Sequence, residues 1–280
     1  MISSKTFKRI KWPTLITICL IHFGAIFAFW TFSWKALILC GVLYWLTGSI
    51  GITLCFHRLL AHRSFNASKL IAYPAALLGT LAGQGGPLSW VADHRVHHRY
   101  SDKEGDPHSP RDGFLWSHML WLFFWSYLDR FDAYKKQVPD LMRDSFYRFL
   151  DRFHGLFIIA FAVFLYLWGG FPFLVWGFSV RMVLLYHATW FVNSATHTWG
   201  YRTYSTSDTS RNLWWVSLVA FGEGWHNNHH AFQGSARHGL RWWEFDLTYL
   251  QIRFLAMLGL VRKVQVPLLL QRTAKALRSA

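Results

Sequence analysis

The sequence predicts an all-α integral membrane protein with four transmembrane helices in two hairpins and a helical cap on the cytoplasmic side. The chain of 280 residues is 53% hydrophobic and 19% aromatic, more apolar than an ordinary soluble domain. Its apolar residues form long blocks separated by short polar connections. Histidine is concentrated in three short clusters at the ends of these blocks. We treat residues 1–280 as a single membrane domain whose cap carries a histidine-rich site.

Residues 14–32 and 36–54 form the first predicted hairpin. Each block is close to the roughly 20 helical residues that cross a hydrocarbon core. Several Lys and Arg residues precede the first block, whereas the connection between the two blocks holds one lysine, Lys35. Because cytoplasmic flanks carry the excess of positive charge, this asymmetry places the N-terminus in the cytoplasm.

Residues 155–170 and 172–191 form the second predicted hairpin, which turns at a Gly-Gly-Phe-Pro run. Arg181 lies inside the last block, so we expect it to face protein or to reach an interface. The apolar stretch 70–90 contains two prolines and four glycines, and we interpret it as interfacial or re-entrant. Two crossings before and two crossings after this stretch leave all three histidine clusters and the C-terminus on the cytoplasmic side.

The formal charge of +15 does not indicate a nucleic-acid-binding protein. Its basic residues gather beside the apolar blocks and accompany no DNA- or RNA-binding motif, so we expect contact with anionic lipid headgroups and none with nucleic acid. Cys19, Cys40 and Cys55 lie in or at the end of apolar stretches without CxxC spacing. We expect them to be reduced packing residues.

Eight histidines form the three clusters, at the spacings HxxxxH, HxxHH and HxxHH: His57, His62, His94, His97, His98, His226, His229 and His230. Residues three or four apart share a helical face, so each HxxHH cluster can direct imidazoles to one side. Adjacent residues diverge by roughly 100° on a helix, so each His-His pair points to two places, which favours two metal ions over one. His57 and His62 are five apart, which predicts a helix end or a local distortion.

The ligand set narrows the choice of metal. Structural zinc sites close with four ligands that usually include cysteine, and copper(I) also favours sulfur. Imidazole-rich sites with open positions suit iron and oxygen chemistry, which indicates two iron ions that activate O2. Two zinc ions that serve hydrolysis remain open at this point.

The residues around the clusters resemble those of the membrane fatty acid desaturases of the acyl-CoA and acyl-lipid delta-9 type. The likeness runs from about Gly48 to Leu260 and includes the flanks Asp93–Asp102 and Gly222–His230. The HxxHH spacing alone is shared with related hydroxylases, but these flanks are specific. Three further segments resemble in particular the bacterial and cyanobacterial acyl-lipid delta-9 enzymes: Asn193–His197, Gly200–Tyr204 and Ser235–Leu240.

The resemblance implies two further residues at the metal site. In the family, the histidine of the Asn-Ser-Ala-x-His segment binds metal and its asparagine approaches a metal through water, which corresponds here to His197 and Asn193. It also implies two Fe2+ ions, O2 as co-substrate and no catalytic residue beyond the metal ligands. The reaction implied is the introduction of a cis double bond, at the delta-9 position, into a saturated acyl chain of a membrane lipid, while O2 is reduced to water.

Other activities stay open as alternatives. An acyl-CoA delta-9 desaturase and a di-iron fatty acid or sterol hydroxylase use the same plan. A non-catalytic membrane protein that binds or transports metal is a third class, but its ligands would be expected inside the bilayer rather than at helix ends.

The electrons for O2 reduction are expected from a separate donor. The sequence contains no Gly-rich dinucleotide fingerprint, no CxxCH haem motif, no iron–sulfur cysteine run and no segment like that of a fused cytochrome b5. For bacterial relatives ferredoxin is the expected donor, and cytochrome b5 is the alternative. The expected location is a bacterial inner membrane or a thylakoid membrane.

Residues that support the ligands are also predicted. Metal-bound imidazoles usually donate their second N–H to a carboxylate or carbonyl, and four acids lie near the clusters: Asp93, Asp102, Asp106 and Glu223. Solvated or salt-bridged loop acids are the alternative interpretation. His108 and His238 lie in family-like segments and are candidates for similar support. We expect His22 and His187 to be packed in the apolar blocks, and His118 and His154 to be interfacial.

Overall fold

The computed structural model describes residues 9–129 and 131–267, which are mainly helical. The predicted cytoplasmic N- and C-termini fall on residues 1–8 and 268–280, outside the described part. A two-stranded antiparallel sheet pairs β1 (Asn66–Ala67) with β2 (Val261–Arg262). The principal helices are α1 (Trp12–Ile26), α2 (Trp34–Ala61), α3 (Lys69–Leu81), α4 (Pro87–Tyr100), α5 (Phe114–His118), α6 (Phe131–Lys135), α7 (Ser145–Leu174), α8 (Arg181–Thr198), α9 (Trp214–Val219), α10 (His226–Ala231) and α11 (Leu247–Met257).

Three helical stretches in the described part of the chain are long and apolar enough to cross a membrane. They are Trp12–Phe29, Trp34–Ala61 and Ser145–Thr198, with mean hydropathies of 1.8, 1.9 and 2.2. The last one covers 54 residues, far more than one crossing requires. The protein is therefore a membrane protein, as its composition predicts.

The longest apolar stretch reverses direction at Gly169 and Gly170. Both glycines have non-helical backbone angles, and Gly170 has φ 69°, in the left-handed region that glycine adopts most readily. The Leu165 side chain lies beside Gly177, although a straight helix would separate these residues by about 18 Å. The segments before and after the two glycines therefore pack side by side, and a π-helical turn, Val175–Val180, leads into α8.

Arg181, at the start of α8, faces protein. Its side chain is fully buried. The guanidinium donates to the Gly177 carbonyl at 2.8 Å and to the Thr47 hydroxyl and the Leu81 carbonyl, both at 3.0 Å. An arginine among apolar helices is tolerated because these acceptors replace water.

The second half of α2, Trp45–Ala61, is π-helical. In a π-helix the backbone bonds span five residues, and the His62 N–H donates to the His57 carbonyl at 3.0 Å. Residues five apart therefore come onto the same face, which brings the side chains of His57 and His62 together. The predicted local distortion is confirmed.

The stretch 70–90 forms no single long helix. It contains α3 and the start of α4, separated by a turn in which Gly83 and Gly85 have φ of 76° and 103°. Within α3, Gly79 packs against Gly51 of α2 so closely that a Cβ on Gly51 would overlap the backbone of Leu78 and Gly79. The two glycines thus allow the backbones of α2 and α3 to touch.

The C-terminal part of the fold packs against the end of α2. Ser49 donates to Gln251 at 2.9 Å, and Thr53 and Thr248 share a hydrogen bond of 2.6 Å, so α11 lies along the π-helical segment. The three cysteines are free thiols, as predicted: Cys19 is exposed, and Cys40 and Cys55 are buried.

We predict that Gly51→Ala lowers the stability of the detergent-solubilised protein by about 1–3 kcal/mol, the usual cost of overpacking. The added methyl group would have to displace the backbone of α3. Gly41→Ala is the matched control, because a Cβ at Gly41 meets nothing within 4 Å and alanine favours the helix. Thermal unfolding measures both, and equal midpoints for the two variants would contradict the predicted contact.

Candidate metal centre

Nine histidines from four segments of the chain converge in two adjacent groups. We call them the five-histidine cluster (His57, His62, His94, His98 and His229) and the four-histidine cluster (His97, His197, His226 and His230). Within each cluster, one ring nitrogen of every member lies within 4.8 Å of the others. All nine histidines predicted as ligands are therefore brought together.

Helical geometry explains how neighbouring histidines are divided. His94 and His98 lie one turn apart on α4 and join the same cluster, while His97 points to the other. On α10, His226 and His230 share one cluster and His229 joins the other. Each adjacent pair thus reaches two different places, as the roughly 100° step of the helix requires.

The five-histidine cluster holds ring nitrogens at separations typical of metal ligands. The Nε2 atom of His229 lies 3.2 Å from Nε2 of His57 and 2.9 Å from Nε2 of His98. Nε2 of His62 lies 2.7 Å from Nε2 of His94. Nitrogens bound at about 2.1 Å to one ion, at right angles, would be about 3.0 Å apart. The observed spacing fits a shared cation.

The four-histidine cluster fits a cation for a second reason. Nε2 of His226 lies 3.1 Å from Nε2 of His197. The Nε2 atoms of His97 and His230 are buried and have no hydrogen-bond partner in the described part of the chain. Buried polar atoms are nearly always satisfied, so two such nitrogens facing one point indicate a ligand there.

Carboxylates contact the outward-facing nitrogens of four of these histidines. Nδ1 lies within 3.2 Å of a carboxylate oxygen in each pair: His57 with Glu223 (2.7 Å), His97 with Asp106 (3.0 Å), His197 with Asp102 (3.2 Å) and His230 with Asp208 (2.8 Å). A carboxylate at Nδ1 keeps the proton there and leaves the Nε2 lone pair free for a metal.

Three of the four predicted carboxylates have this position, namely Asp102, Asp106 and Glu223. Asp93 is not among the carboxylates that contact the clusters within residues 9–129 and 131–267; burial, followed by repulsion from Asp129, raises its pKa to about 7. The sequence analysis missed Asp208, which hydrogen-bonds Ser210 as well as His230. A signal existed, because Asp208 is the single acid between residues 152 and 222.

Arg58 is a second residue that the sequence analysis missed. Its guanidinium is fully buried between Glu223 and Asp246, each at 3.0 Å, and it also donates to the Ala236 carbonyl at 2.7 Å. A basic residue next to His57 in an apolar segment was the available signal. Arg58 joins α2 to the loops before α10 and α11.

His108 and His238 lie beside the clusters. The ring of His108 stacks on that of His97 with centroids 4.4 Å apart, and its Nδ1 is 3.9 Å from Asp106. His238 lies against His229, with ring centroids 4.4 Å apart, and its Nδ1 is 3.3 Å from Glu223. Both side chains therefore support the clusters by packing and by contact with the same carboxylates.

The surroundings keep six of the imidazoles neutral. Burial, followed by repulsion from neighbouring imidazoles, lowers the pKa of five of them well below the ordinary value: His62, His94, His98, His226 and His229. Burial lowers the pKa of His230 to about 4. Neutral imidazole is the form that binds metal.

The carboxylates beside the imidazoles stay ionised. Burial alone would raise the pKa of Asp102, but His197 and Thr209 outweigh it and lower this pKa to about 2. The charges of His57 and Arg58 likewise outweigh burial and hold the pKa of Glu223 well below its usual range. Each cluster thus has at least one ionised carboxylate beside it that can accept a hydrogen bond.

The remaining histidines lie outside the two clusters. His22 and His187 are half-buried and share a hydrogen bond of 3.2 Å, and His187 also bonds to His118 at 3.0 Å. His118 is buried and contacts the Ser194 hydroxyl at 2.9 Å. His154 contacts the Asp151 carbonyl at 2.7 Å. These rings bond to neighbouring protein atoms, as expected for His22 and His187, whereas His118, expected at an interface, is buried.

A cavity connects the clusters with the apolar helices. His57, His94, His97 and His226 line one part of it. Elsewhere the wall is largely apolar and comes from α2, α8 and the end of α9: Gly48, Ile52, Leu185, Ala188, Val192, Ala220 and Phe221.

Asn193 also lines this cavity, one helical turn before His197. The cavity wall near the clusters has a small polar network as well. Trp90 donates to Gln84 at 3.1 Å, and Gln84 donates to Thr189 at 2.9 Å. The network gives partners to the Trp90 indole N–H and the Gln84 amide, which leaves fewer polar groups to face an apolar molecule.

Comparison with known proteins gives a family. The family model described as fatty acid desaturase matches residues 28–256. An sn-2 palmitoyl-lipid 9-desaturase from Nostoc sp. (strain 36) is 51% identical over 259 residues, which cover 91% of this chain and 90% of the relative. An sn-1 stearoyl-lipid 9-desaturase from Anabaena variabilis is 48% identical over 267 residues, covering 95% and 97%.

A palmitoyl-monogalactosyldiacylglycerol delta-7 desaturase from Arabidopsis thaliana is 45% identical over 275 residues, covering 98% of this chain and 74% of the relative. The family match includes every segment that contributes a histidine to the two clusters. The chain therefore belongs to the fatty acid desaturase family and is an oxidoreductase.

Proposed function

We propose that this protein is an O2-dependent acyl-lipid desaturase that introduces a cis double bond at the delta-9 position of a saturated acyl chain. The observation that carries the proposal is the cavity, in which two histidine clusters meet an apolar wall formed by the membrane helices. Such a wall accepts a hydrocarbon chain and brings unactivated methylene groups next to the clusters.

The two histidine clusters are the proposed binding sites for two Fe2+ ions. Nine imidazoles are the proposed direct ligands, and Asn193 is proposed to act through water. Iron supplies the oxidation of an unactivated methylene by O2, which no side chain can perform. Two zinc ions are less suited to this family, since zinc does not change its oxidation state.

The protein's own residues hold the substrate and exclude water. Gly48 and His57 both line the cavity and lie nine residues apart on α2. An acyl chain that ends near Gly48 would therefore place an internal methylene, rather than its terminal methyl group, near the clusters. By holding one internal methylene next to the clusters, the polypeptide would select the carbon atoms between which the double bond forms.

A membrane lipid is the proposed carrier of the acyl chain. The three relatives above are named for acyl chains linked to glycerolipids, and two of the names give position 9. The runner-up is an acyl-CoA delta-9 desaturase, followed by a hydroxylase of the same plan. A transport role is not supported, because the ligands lie at helix ends around a closed pair of clusters.

We propose four transmembrane helices in two hairpins, with the reversal at Gly169 and Gly170 as the turn of the second one. Histidines from α2, α4, α8 and α10 would then all lie in a cytoplasmic cap. The relatives from cyanobacteria favour a bacterial inner membrane or a thylakoid membrane.

Ferredoxin is the proposed electron donor. We predict that the purified protein, loaded with iron, forms product with reduced ferredoxin and none with NADPH alone. An acidic donor would be attracted to a basic protein, so the rate should fall with added salt. Product measured by gas chromatography tests this, and turnover with cytochrome b5 but not with ferredoxin would contradict the choice of donor.

We predict that His229→Ala removes desaturation. The variant loses a ligand that lies within 3.2 Å of two other imidazole nitrogens. Product should fall at least about 100-fold, since loss of an outer partner alone costs 10–100-fold. Lipid analysis of a host that lacks its own enzyme measures this together with iron per purified chain.

The control for this experiment is His154→Gln, because His154 lies outside both clusters and bonds to a backbone carbonyl. It should retain product and iron. Normal monounsaturated lipid in cells that express His229→Ala would refute the ligand assignment, and hydroxylated lipid from the unmodified chain would favour the hydroxylase instead.

We predict that Gly48→Ala shortens the acyl chain that is accepted. A Cβ at this position would lie 2.6 Å from the Phe221 ring and 2.7 Å from Leu185, so the apolar end of the cavity must narrow. The ratio of stearoyl-derived to palmitoyl-derived product should fall about tenfold, the usual effect of one methylene in an apolar pocket. Gly41→Ala should leave the ratio unchanged, and an equal ratio in both variants would argue against this end of the cavity.

A further inference from the structure

The carboxylates around the two clusters are distributed unequally. Three of the four imidazoles in the four-histidine cluster, those of His97, His197 and His230, have an aspartate at Nδ1. In the five-histidine cluster, the described residues provide such a contact for His57 alone, through Glu223. Imidazole binds a metal ion in its neutral form, so these acids are the nearest negative charges available to balance a divalent cation.

The buried guanidinium of Arg58 increases the difference in negative charge between the two clusters. Arg58 is fully buried and lies 3.0 Å from both Glu223 and Asp246, so it offsets part of the negative charge beside the five-histidine cluster and leaves one net negative charge there, against three aspartates at the other cluster. The three aspartates of the other cluster instead accept hydrogen bonds from neutral groups, such as the Thr209 hydroxyl at Asp102 and the Ser210 hydroxyl at Asp208. Within the described ranges, no Lys or Arg forms an ion pair with them.

The two clusters also differ in which buried ring nitrogens lack a hydrogen-bond partner. In the four-histidine cluster, the buried nitrogens without a partner among the described residues are Nε2 of His97 and His230, which face inward. In the five-histidine cluster they are Nδ1 of His98 and His229, which face away from the neighbouring imidazole nitrogens. The protein therefore fixes the ligating form of most imidazoles in the first case and leaves two unfixed in the second.

We propose that the four-histidine cluster binds its metal ion more tightly than the five-histidine cluster, so that the two positions fill in sequence. The inference rests on the proposed function, since it takes the nine imidazoles as ligands. Ligand number alone would favour the cluster with five imidazoles. Charge balance and fixed ligand orientation favour the cluster with four, and each imidazole–carboxylate contact is worth about 10–100-fold in metal affinity.

The test uses the full-length protein in detergent, loaded with Fe2+ under anaerobic conditions and dialysed against increasing concentrations of a chelator. Iron per chain is measured by elemental analysis, so no activity assay is needed. We expect it to fall from two to one, to remain at one over at least about a tenfold range of chelator, and then to fall to zero.

Two variants assign the steps. Asp208→Asn should shift the loss of the second, tighter iron to about 10–100-fold lower chelator and shorten the plateau. Glu223→Gln should shift the loss of the first iron and lengthen the plateau. Glu104→Gln is the matched control: Glu104 is an exposed acid in the same loop as Asp102 and Asp106. It should reproduce the unmodified curve.

The possible results separate the inference from the function on which it rests. Simultaneous loss of both ions from the unmodified protein, or a shift of the first step by Asp208→Asn, would overturn the unequal affinities and leave the metal centre itself intact. Failure of the unmodified protein to retain any Fe2+ would overturn the metal centre. The chelator curve of the unmodified protein alone shows whether the two affinities are unequal, even if a variant does not fold.

Discussion

The fold depends on contacts between imidazoles and carboxylates at the ends of apolar helices. Burying nine histidines together is unfavourable unless their nitrogens are satisfied, and the inward nitrogens are the proposed metal ligands. The outward contacts with Asp102, Asp106, Asp208 and Glu223 provide part of the compensation and also orient the rings. Segments far apart in sequence are thereby held together: each of the carboxylates Asp102 and Glu223 contacts a histidine on a distant helix.

Much of this arrangement could be predicted from spacing. The step of an α-helix is constant, so the separation of His97 from His98 into different clusters follows from their being adjacent. The distortion between His57 and His62 follows from a spacing that an α-helix cannot accommodate on one face. His197 was different, because it belongs to no HxxHH pattern, and its place was implied by resemblance to the family.

The supporting residues were harder to predict because their positions depend on tertiary contacts. Asp208 lies in a loop 22 residues from His230, and no local rule relates the two. Asp93 is adjacent to His94 in sequence, but successive helical residues point in different directions. Its position next to His94 in the chain therefore does not bring it into contact with the clusters. The apolar blocks likewise predicted where helices occur but not that α2 continues beyond its apolar core to Ala61, since π-helical pairing depends on its packing against α3 and α11.

One continuous helix, α2, contributes both the apolar wall at Gly48 and the imidazole of His57. An insertion or deletion between them would turn every later residue of this π-helical segment in a different direction and remove His57 from its partners. The number of residues between Gly48 and His57 is therefore fixed, because the His57 imidazole must reach its partners. Divergence in substrate length among such proteins must proceed through the bulk of individual side chains, which makes a single glycine a site where evolution can act without dismantling the centre.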